Sequence, residues 1–319
     1  MCPSGESHTG SAVWQDSTVP SSLNELIDLL DLEKLEDDLY RGRQPADSDM
    51  LRVFGGQVAA QALMASMKSV DPARHVHSLH SYFILGGDPS IPIVYDVERI
   101  RDGGSFSTRR VSARQHGEII FYMTASFHKS EPGFEHQSKM PAVPAPADSP
   151  LLVDLFGQAN PTYAERWLKE WSSMELRYVG DNRRADDPQK EMEPAVQRLW
   201  FRANGQMPAD PMLNSCVLTY ISDLSLLGAS LLPHGVRISD PSVQPASLDH
   251  TVWFHHAVRA DEWHLYDQTS PVATGARGLA TARVFAEDGT LVATVAQEGL
   301  IRPITSKDDS GDVPLRANT

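Results

Sequence analysis

Asp223 is the one charged residue in the seventeen-residue run CVLTYISDLSLLGASLL, from Cys216 to Leu232. A carboxylate in apolar surroundings must find partners or give up its charge. Such a group can act as a general base. It can also be structural, because "SD" ahead of "LSLLGASLL" has the chemistry of a helix N-cap. Gln297 lies in "TVAQEGLI", where strand alternation puts Val295, Gln297 and Gly299 on one face. Its amide can orient a water or a carbonyl oxygen, or simply be a satisfied core group. Ser247 opens "SLDHTVWFHH". No G-x-S-x-G elbow surrounds it, so an α/β-hydrolase serine nucleophile is not supported.

Other chemistry-bearing residues are less organised. Asp249 and His250 are neighbours on one strand and point to opposite faces, which makes them a poor acid–base pair. His255 and His256 lack a third ligand at metal-binding spacing. Gly55 and Gly56, in "VFGGQ", either loosen a helix start or bring backbone N–H groups close to a ligand. They are not part of a phosphate loop, since G-x-x-x-x-G-K-[ST] is absent. Arg101, Arg109, Arg110, Arg202, Arg277 and Arg302 fall at or near strands, where they are either solvated or available to grip phosphate groups.

The elements that must position these residues come in two similar sets. In the first half, the small and apolar helix GGQVAAQALMASMK precedes four strand-like runs, HVHSLHSYFI, IPIVYDVERIR, SFSTRRVSARQ and EIIFYMTASFH. In the second, the run around Asp223 precedes SLDHTVWFHH, EWHLYDQTS, ARGLATARVFA and TLVATVAQEGLIR. Phe83 and Phe254 are 171 positions apart, and the turn glycines Gly117 and Gly289 are 172 apart. Each helix is apolar nearly all round and must be buried on most faces. Its small residues allow a curved sheet to approach closely. The pattern predicts an α+β fold, a double hotdog in which each of two antiparallel sheets wraps one helix.

The expected boundaries are a disordered tail over 1–21, an N-terminal hotdog over 22–135, a linker region over 136–195, a C-terminal hotdog over 196–303 and a second disordered tail over 304–319. Ser22 and Glu25 form a capping box at the start of a short helix. The Pro/Ala-rich stretch KMPAVPAPADSP reads as linker.

Composition narrows the function classes. The 319 residues are 41% hydrophobic and 22% charged, with a formal net charge of −14. That balance argues against nucleic acid and against an anionic membrane surface as partners. The most apolar run is broken by Ser222, Asp223 and Ser225, so no membrane span is expected. The first twenty residues lack the features of a signal peptide, and the ending "LRANT" is not a peroxisomal address. Cys2 and Cys216 are the two cysteines, and they suggest neither a disulfide nor a zinc site. A cytoplasmic location is expected.

The segments VFGGQVAAQAL, HSLHSYFILGGDPSIPIVYDVERIRDGGSFSTRRVSARQHGEIIFYMTASF and FEHQ resemble the first half of the acyl-CoA thioesterase II (TesB-like) family. RANGQMPAD, YISDLSLL, SLDHTVWFH and VAQEGLIR resemble its second half. The resemblance runs in order over about residues 22–303 and is loose only over 151–195. It implies a double hotdog that hydrolyses fatty acyl-CoA. In that family an Asp, a Ser or Thr, and a Gln hold and activate water. The Asp of the "SDL" motif falls on Asp223, the hydroxyl residue two before "DH" on Ser247, and the Gln of "QEG" on Gln297. The thioester oxygen would meet a backbone N–H at a helix start or the Gln amide. The resemblance further implies acyl-CoA as the partner, no cofactor, no metal, and a homo-oligomer, either dimer or tetramer. Arg109, Arg110, Arg277 and Arg302, with the backbone of Gly55 and Gly56, are the candidates for binding substrate. Two competing readings have sequence tests. Hotdog acyl-CoA hydratases place a His five residues after the Asp, where this chain has Gly228. A non-catalytic acyl-CoA-binding protein would lack the Asp or the Gln, and both are present.

Overall fold

The computed structural model describes residues 22–45, 50–182 and 195–304. The two expected tails lie outside the described residues, apart from Ile304. The first half begins with helix α1 (Leu23–Leu30), whose N-cap hydroxyl, Ser22 Oγ, accepts a hydrogen bond from the Glu25 N–H. A hairpin of β1 (Glu33–Glu36) and β2 (Leu39–Gly42) follows. Helix α2 (Gly55–Met67) then leads into β3 (Arg74–Phe83), β4 (Ile93–Asp102), β5 (Phe106–Gln115) and β6 (Glu118–Lys129). Every residue of α2 after Gly55 is buried. Ala59, Ala60, Ala62 and Ala65 let the sheet close over the helix, while Leu63 is fully buried and stabilises by roughly 2 kcal/mol.

The expected linker over 136–195 is only partly a linker. Its Pro/Ala-rich stretch does run largely without regular structure, but α3 (Leu152–Ala159), α4 (Pro161–Trp171) and β7 (Met174–Asp181) follow it. Aromatic rings explain why the two short helices are ordered. Phe156 makes edge contacts with Tyr163 and Trp167, and Trp171 with Phe54 at the start of α2. Strand β7 joins the sheet by pairing with β8 (Ala195–Ala203).

The second half continues with α5 (Pro211–Ser222), β9 (Val243–Ser247), β10 (Asp249–Phe254), β11 (His264–Thr274), β12 (Arg277–Ala286) and β13 (Leu291–Pro303). Its apolar run is not one helix, contrary to the sequence pattern. α5 starts at Pro211, capped by the Asp210 side chain, and stops at Ser222. A separate 3₁₀ stretch, Leu226–His234, then packs on β8, β11, β12 and β13. The span Pro211–His234 is long and apolar enough to cross a membrane by length and composition, yet 72% of its most apolar window is buried inside the protein.

One sheet carries both halves, in the order β1-β2-β4-β5-β6-β3-β10-β13-β12-β11-β8-β7, with β9 attached to β13. The order reads as a mirror image about the β3–β10 junction. His80 pairs with Thr251 across that junction, and their numbers differ by the same 171 that separates Phe83 from Phe254. The junction is thus a pseudo-twofold axis, and His80 and Thr251 stand on it. α2 and α5 pack together on the inner face. This is the double hotdog arrangement, with the sheets of the two halves joined edge to edge.

Candidate active site

Asp223 is the C-cap of α5, not the start of a helix. The C-terminal end of a helix disfavours a carboxylate. Its ionised form is supported from another element instead. α2 has no side-chain cap of its own, and the Gly56 N–H in its first turn donates to the Asp223 carboxylate. Asp223 therefore does the work of an N-cap, but for the helix of the other half.

β13 and β9 bring the other two residues to the same oxygen. Gln297 is fully buried on the inner face of β13, as strand alternation requires. Its Nε2 donates to Asp223 Oδ1 and, at 3.0 Å, to Ser247 Oγ. Ser247 ends β9, opposite Gly299, and its hydroxyl donates to Asp223 Oδ1 at 3.3 Å. The side chain of Asp223 is 3% exposed. Burial pushes its carboxyl up to about 7, against the opposing pull of Gln297, Ser247 and the Gly56 N–H. A base with that affinity for protons is well matched to proton transfer near neutral pH.

Ser247 and Gly55 line the wall of a cavity of about 310 Å³. Val58, Phe83, Ile120 and Phe121 give it an apolar side, and Arg52 stands in its lining. Neither glycine here is replaceable at no cost. A Cβ on Gly55 would lie 2.7 Å from Asp223 Oδ2 and 2.8 Å from the Phe83 ring. A Cβ on Gly56 would run into the Tyr220 carbonyl and the Phe54 ring.

The structure thus brings together Asp223, Ser247, Gln297, Gly55 and Gly56. The arginines fare differently. Arg109 is 1% exposed, and its guanidinium is spent on Ser69, the Arg101 and Thr108 carbonyls, and Asp102. The expectation that it grips phosphate is corrected: it is a buried structural cation. Arg110 forms a two-pronged pair with Glu98 on the outer face of the sheet. Arg277 pairs with Glu298. Arg302 is exposed on β13, opposite Gln244 of the strand that carries Ser247. Arg52 went unnoticed in the sequence because it sits outside any strand or motif. His250 was passed over as half of a poor pair with Asp249. In the structure it is fully buried behind Asp223, with Nδ1 3.9 Å from Oδ1.

The pseudo-twofold axis predicts a second site of this kind, and the second end is not equipped for it. The counterpart of Ser247 is Val76, by the 171-residue offset of the β3–β10 register. Thr251 pairs with Ala296, so continuing that register places Gln297 opposite His250; the equivalent pair is Leu79 with Ala125. The C-cap of α2 is Lys68, where α5 has Asp223. All three polar groups are missing there.

Comparison with known proteins gives the family. A family profile described as "Acyl-CoA thioesterase" matches residues 179–300, and one described as "Acyl-CoA thioesterase N-terminal domain" matches residues 44–128. The chain is 43% identical over 284 residues to acyl-coenzyme A thioesterase 8 of Mus musculus, covering 86% of this chain and 88% of that protein. It is 41% identical over 281 residues to acyl-CoA thioesterase 2 of Haemophilus influenzae, covering 88% and 98%. Among solved structures, an acyl-CoA thioesterase II TesB2 from Mycobacterium marinum is 44% identical and superposes with a TM-score of 0.73 over 87% of this chain and 98% of that one. A hot dog fold protein from Alicyclobacillus acidocaldarius, 20% identical, shares the fold with a TM-score of 0.70 over 88% of this chain and 99% of that one. With relatives this similar over nearly their whole length, the chain belongs to the acyl-CoA thioesterase family of thioester hydrolases.

Proposed function

We propose that this protein hydrolyses fatty acyl-CoA to free fatty acid and CoA, by direct attack of a water held by Asp223, Ser247 and Gln297. The observation that carries the reading is the convergence of Ser247 and Gln297 on one oxygen of a buried carboxylate. Asp223 takes a proton from the water as its oxygen bonds to the thioester carbon. The tetrahedral intermediate then collapses, the C–S bond breaks, and the proton on Asp223 passes to the departing thiolate. A thiolate leaves readily, so no strong acid is needed. The thioester oxygen is stabilised by the backbone at the start of α2, where Gly55 faces the cavity, or by the Gln297 amide. The acyl chain lies along Val58, Phe83 and Phe121, and the nucleotide stays outside, toward Arg52 and Arg302. The enzyme works in the cytoplasm as a homo-oligomer, a reading supported by a sequence with only two cysteines and by the resemblance rather than by any contact between copies.

The test is release of free thiol from acyl-CoA substrates of graded chain length. Hydrolysis of at least one of them is expected, and the dependence on length reads the depth of the cavity. Hydration of an enoyl-CoA without thiol release would favour the hydratase reading instead.

The pH dependence is a separate prediction. Asp223 acts when ionised, so kcat/KM should rise with pH through a midpoint near 7, where burial has pushed its carboxyl, and then level off. A rate that is flat between about pH 5.5 and 8.5 would exclude Asp223 as the base.

A further inference from the structure

The mechanism above leaves a buried histidine at the site unused. His250, on β10, is fully buried behind Asp223. Its Nε2 lies 2.8 Å from Ser222 Oγ, and its Nδ1 has no hydrogen-bond partner among the described residues. Packing does not require a histidine at this place. The pseudo-twofold counterpart is Leu79, also fully buried, and it serves the same position in the other half. A polar ring buried with an unsatisfied nitrogen is costly, and here the cost is confined to the end of the fold that carries the catalytic groups.

The hydrogen bonds around Ser222 fix which nitrogen holds the proton. A hydroxyl has one proton to donate. The Thr219 carbonyl lies in the last turn of α5, where carbonyls lack helical partners. It accepts from Ser222 Oγ at 2.9 Å. Ser222 Oγ must then accept from His250 Nε2–H, and Nδ1 is left as a bare lone pair 3.9 Å from Asp223 Oδ1. We propose that His250 is a positioning residue for the general base: its neutral ring, anchored on Ser222, turns the bare Nδ1 to the carboxylate, disfavours the carboxylate's charged form and so makes Asp223 a stronger base. The proposal rests on the reading of Asp223 as the base.

The neutrality of the ring agrees with its surroundings, since burial pushes His250 down to about 3. The groups facing Asp223 from the packed elements are the Gly56 N–H of α2, Ser247 of β9, His250 of β10, Tyr266 of β11 and Gln297 of β13. Only His250 and Tyr266 among these titrate. Tyr266 is held neutral by burial, well above its ordinary range, and its hydroxyl donates to the Ser222 carbonyl.

The experiment is the pH profile of kcat/KM for acyl-CoA hydrolysis in the full-length chain. His250→Leu copies the residue the other half already uses. Its acid limb is expected to move to lower pH by roughly half to one unit. The plateau kcat should fall by roughly two- to threefold for a weaker base, with KM within about twofold. His250→Asn, whose amide can turn an N–H to the carboxylate, should move the limb at least as far. It decides the matter if the leucine variant fails to fold. An acid limb that stays in place, or moves to higher pH, in a folded variant would overturn the proposal. Asp223→Asn run beside them separates the two readings. If it hydrolyses acyl-CoA at a near-normal rate, the base itself is misassigned. If it is inactive while the histidine variants keep the original limb, only the role of His250 fails.

Discussion

Asp223→Asn is expected to abolish most turnover and to make the protein more stable. The rate loss follows from removing the base. An amide cannot take the proton from water, and such losses are about 10²–10⁴ in kcat. The stability gain follows from linkage. The carboxyl of Asp223 is raised in the folded state, from 3.8 to about 7. A raised group contributes stability that is fully present below about pH 3.8 and is lost as pH rises through about 7. At alkaline pH the folded protein therefore holds a buried charge at a cost of up to about 4 kcal/mol, which asparagine does not incur. Asparagine can still accept from Gln297 and Ser247, so the local packing survives. Thermal melts should show the variant ahead by at least ~3 °C at about pH 8 and by less than ~1 °C at about pH 3.5. Equal melting at both pH values would mean that the carboxylate is not strained by burial, and near-native turnover would remove it from the chemistry.

The adjacent glycines should separate activity from stability. A Cβ at Gly55 meets the Asp223 carboxylate and the Phe83 ring, both side chains. Gly55→Ala should therefore fold with a modest loss, while the displaced carboxylate lowers kcat/KM by roughly 10²-fold, the cost of about 1 Å of misplacement. A Cβ at Gly56 meets the Tyr220 carbonyl, which is backbone of α5 and cannot swing aside. Gly56→Ala must push α2 and α5 apart and should destabilise by roughly 1–3 kcal/mol as an overpacked contact, with activity falling alongside. Melting temperature and kcat/KM measured on both variants check the contrast. If Gly55→Ala turned over substrate normally, the close approach of α2 to Asp223 would not matter to catalysis.

The sequence made the candidate trio legible through its resemblance to a known family, and the repeat legible through its own spacing. The alternation in "TVAQEGLI" correctly placed Gln297 on an inner face. Asp223 was misread in one respect. "SD" before an apolar run looks like a helix start, but α5 begins twelve residues earlier at Pro211, and a 3₁₀ stretch follows the aspartate. Hydropathy is blind to that break, because both segments are apolar and buried. The capping chemistry was real, but its recipient is Gly56, remote in sequence. Arg109 shows a similar limit. Composition marks an arginine as a cation, and only the fold reveals that its donors are already taken. His250 was missed because strand alternation correctly separated it from Asp249, while nothing local could place it beside Asp223. The short helices α3 and α4 were hidden by the proline-rich stretch before them, and they are held by aromatic contacts.

The mirror-image order of the sheet has a bearing on how such a protein can change over time. Two identical single-hotdog subunits related by a true twofold would carry both sites or neither, because every mutation would strike both ends at once. Joining the copies in one chain releases that constraint. Val76, Ala125 and Lys68 can then stand where the other end needs Ser247, Gln297 and Asp223. The first half stays tied to the second by lending the Gly56 N–H to its buried carboxylate. Neither copy can now be shed, since each has become the other's missing part.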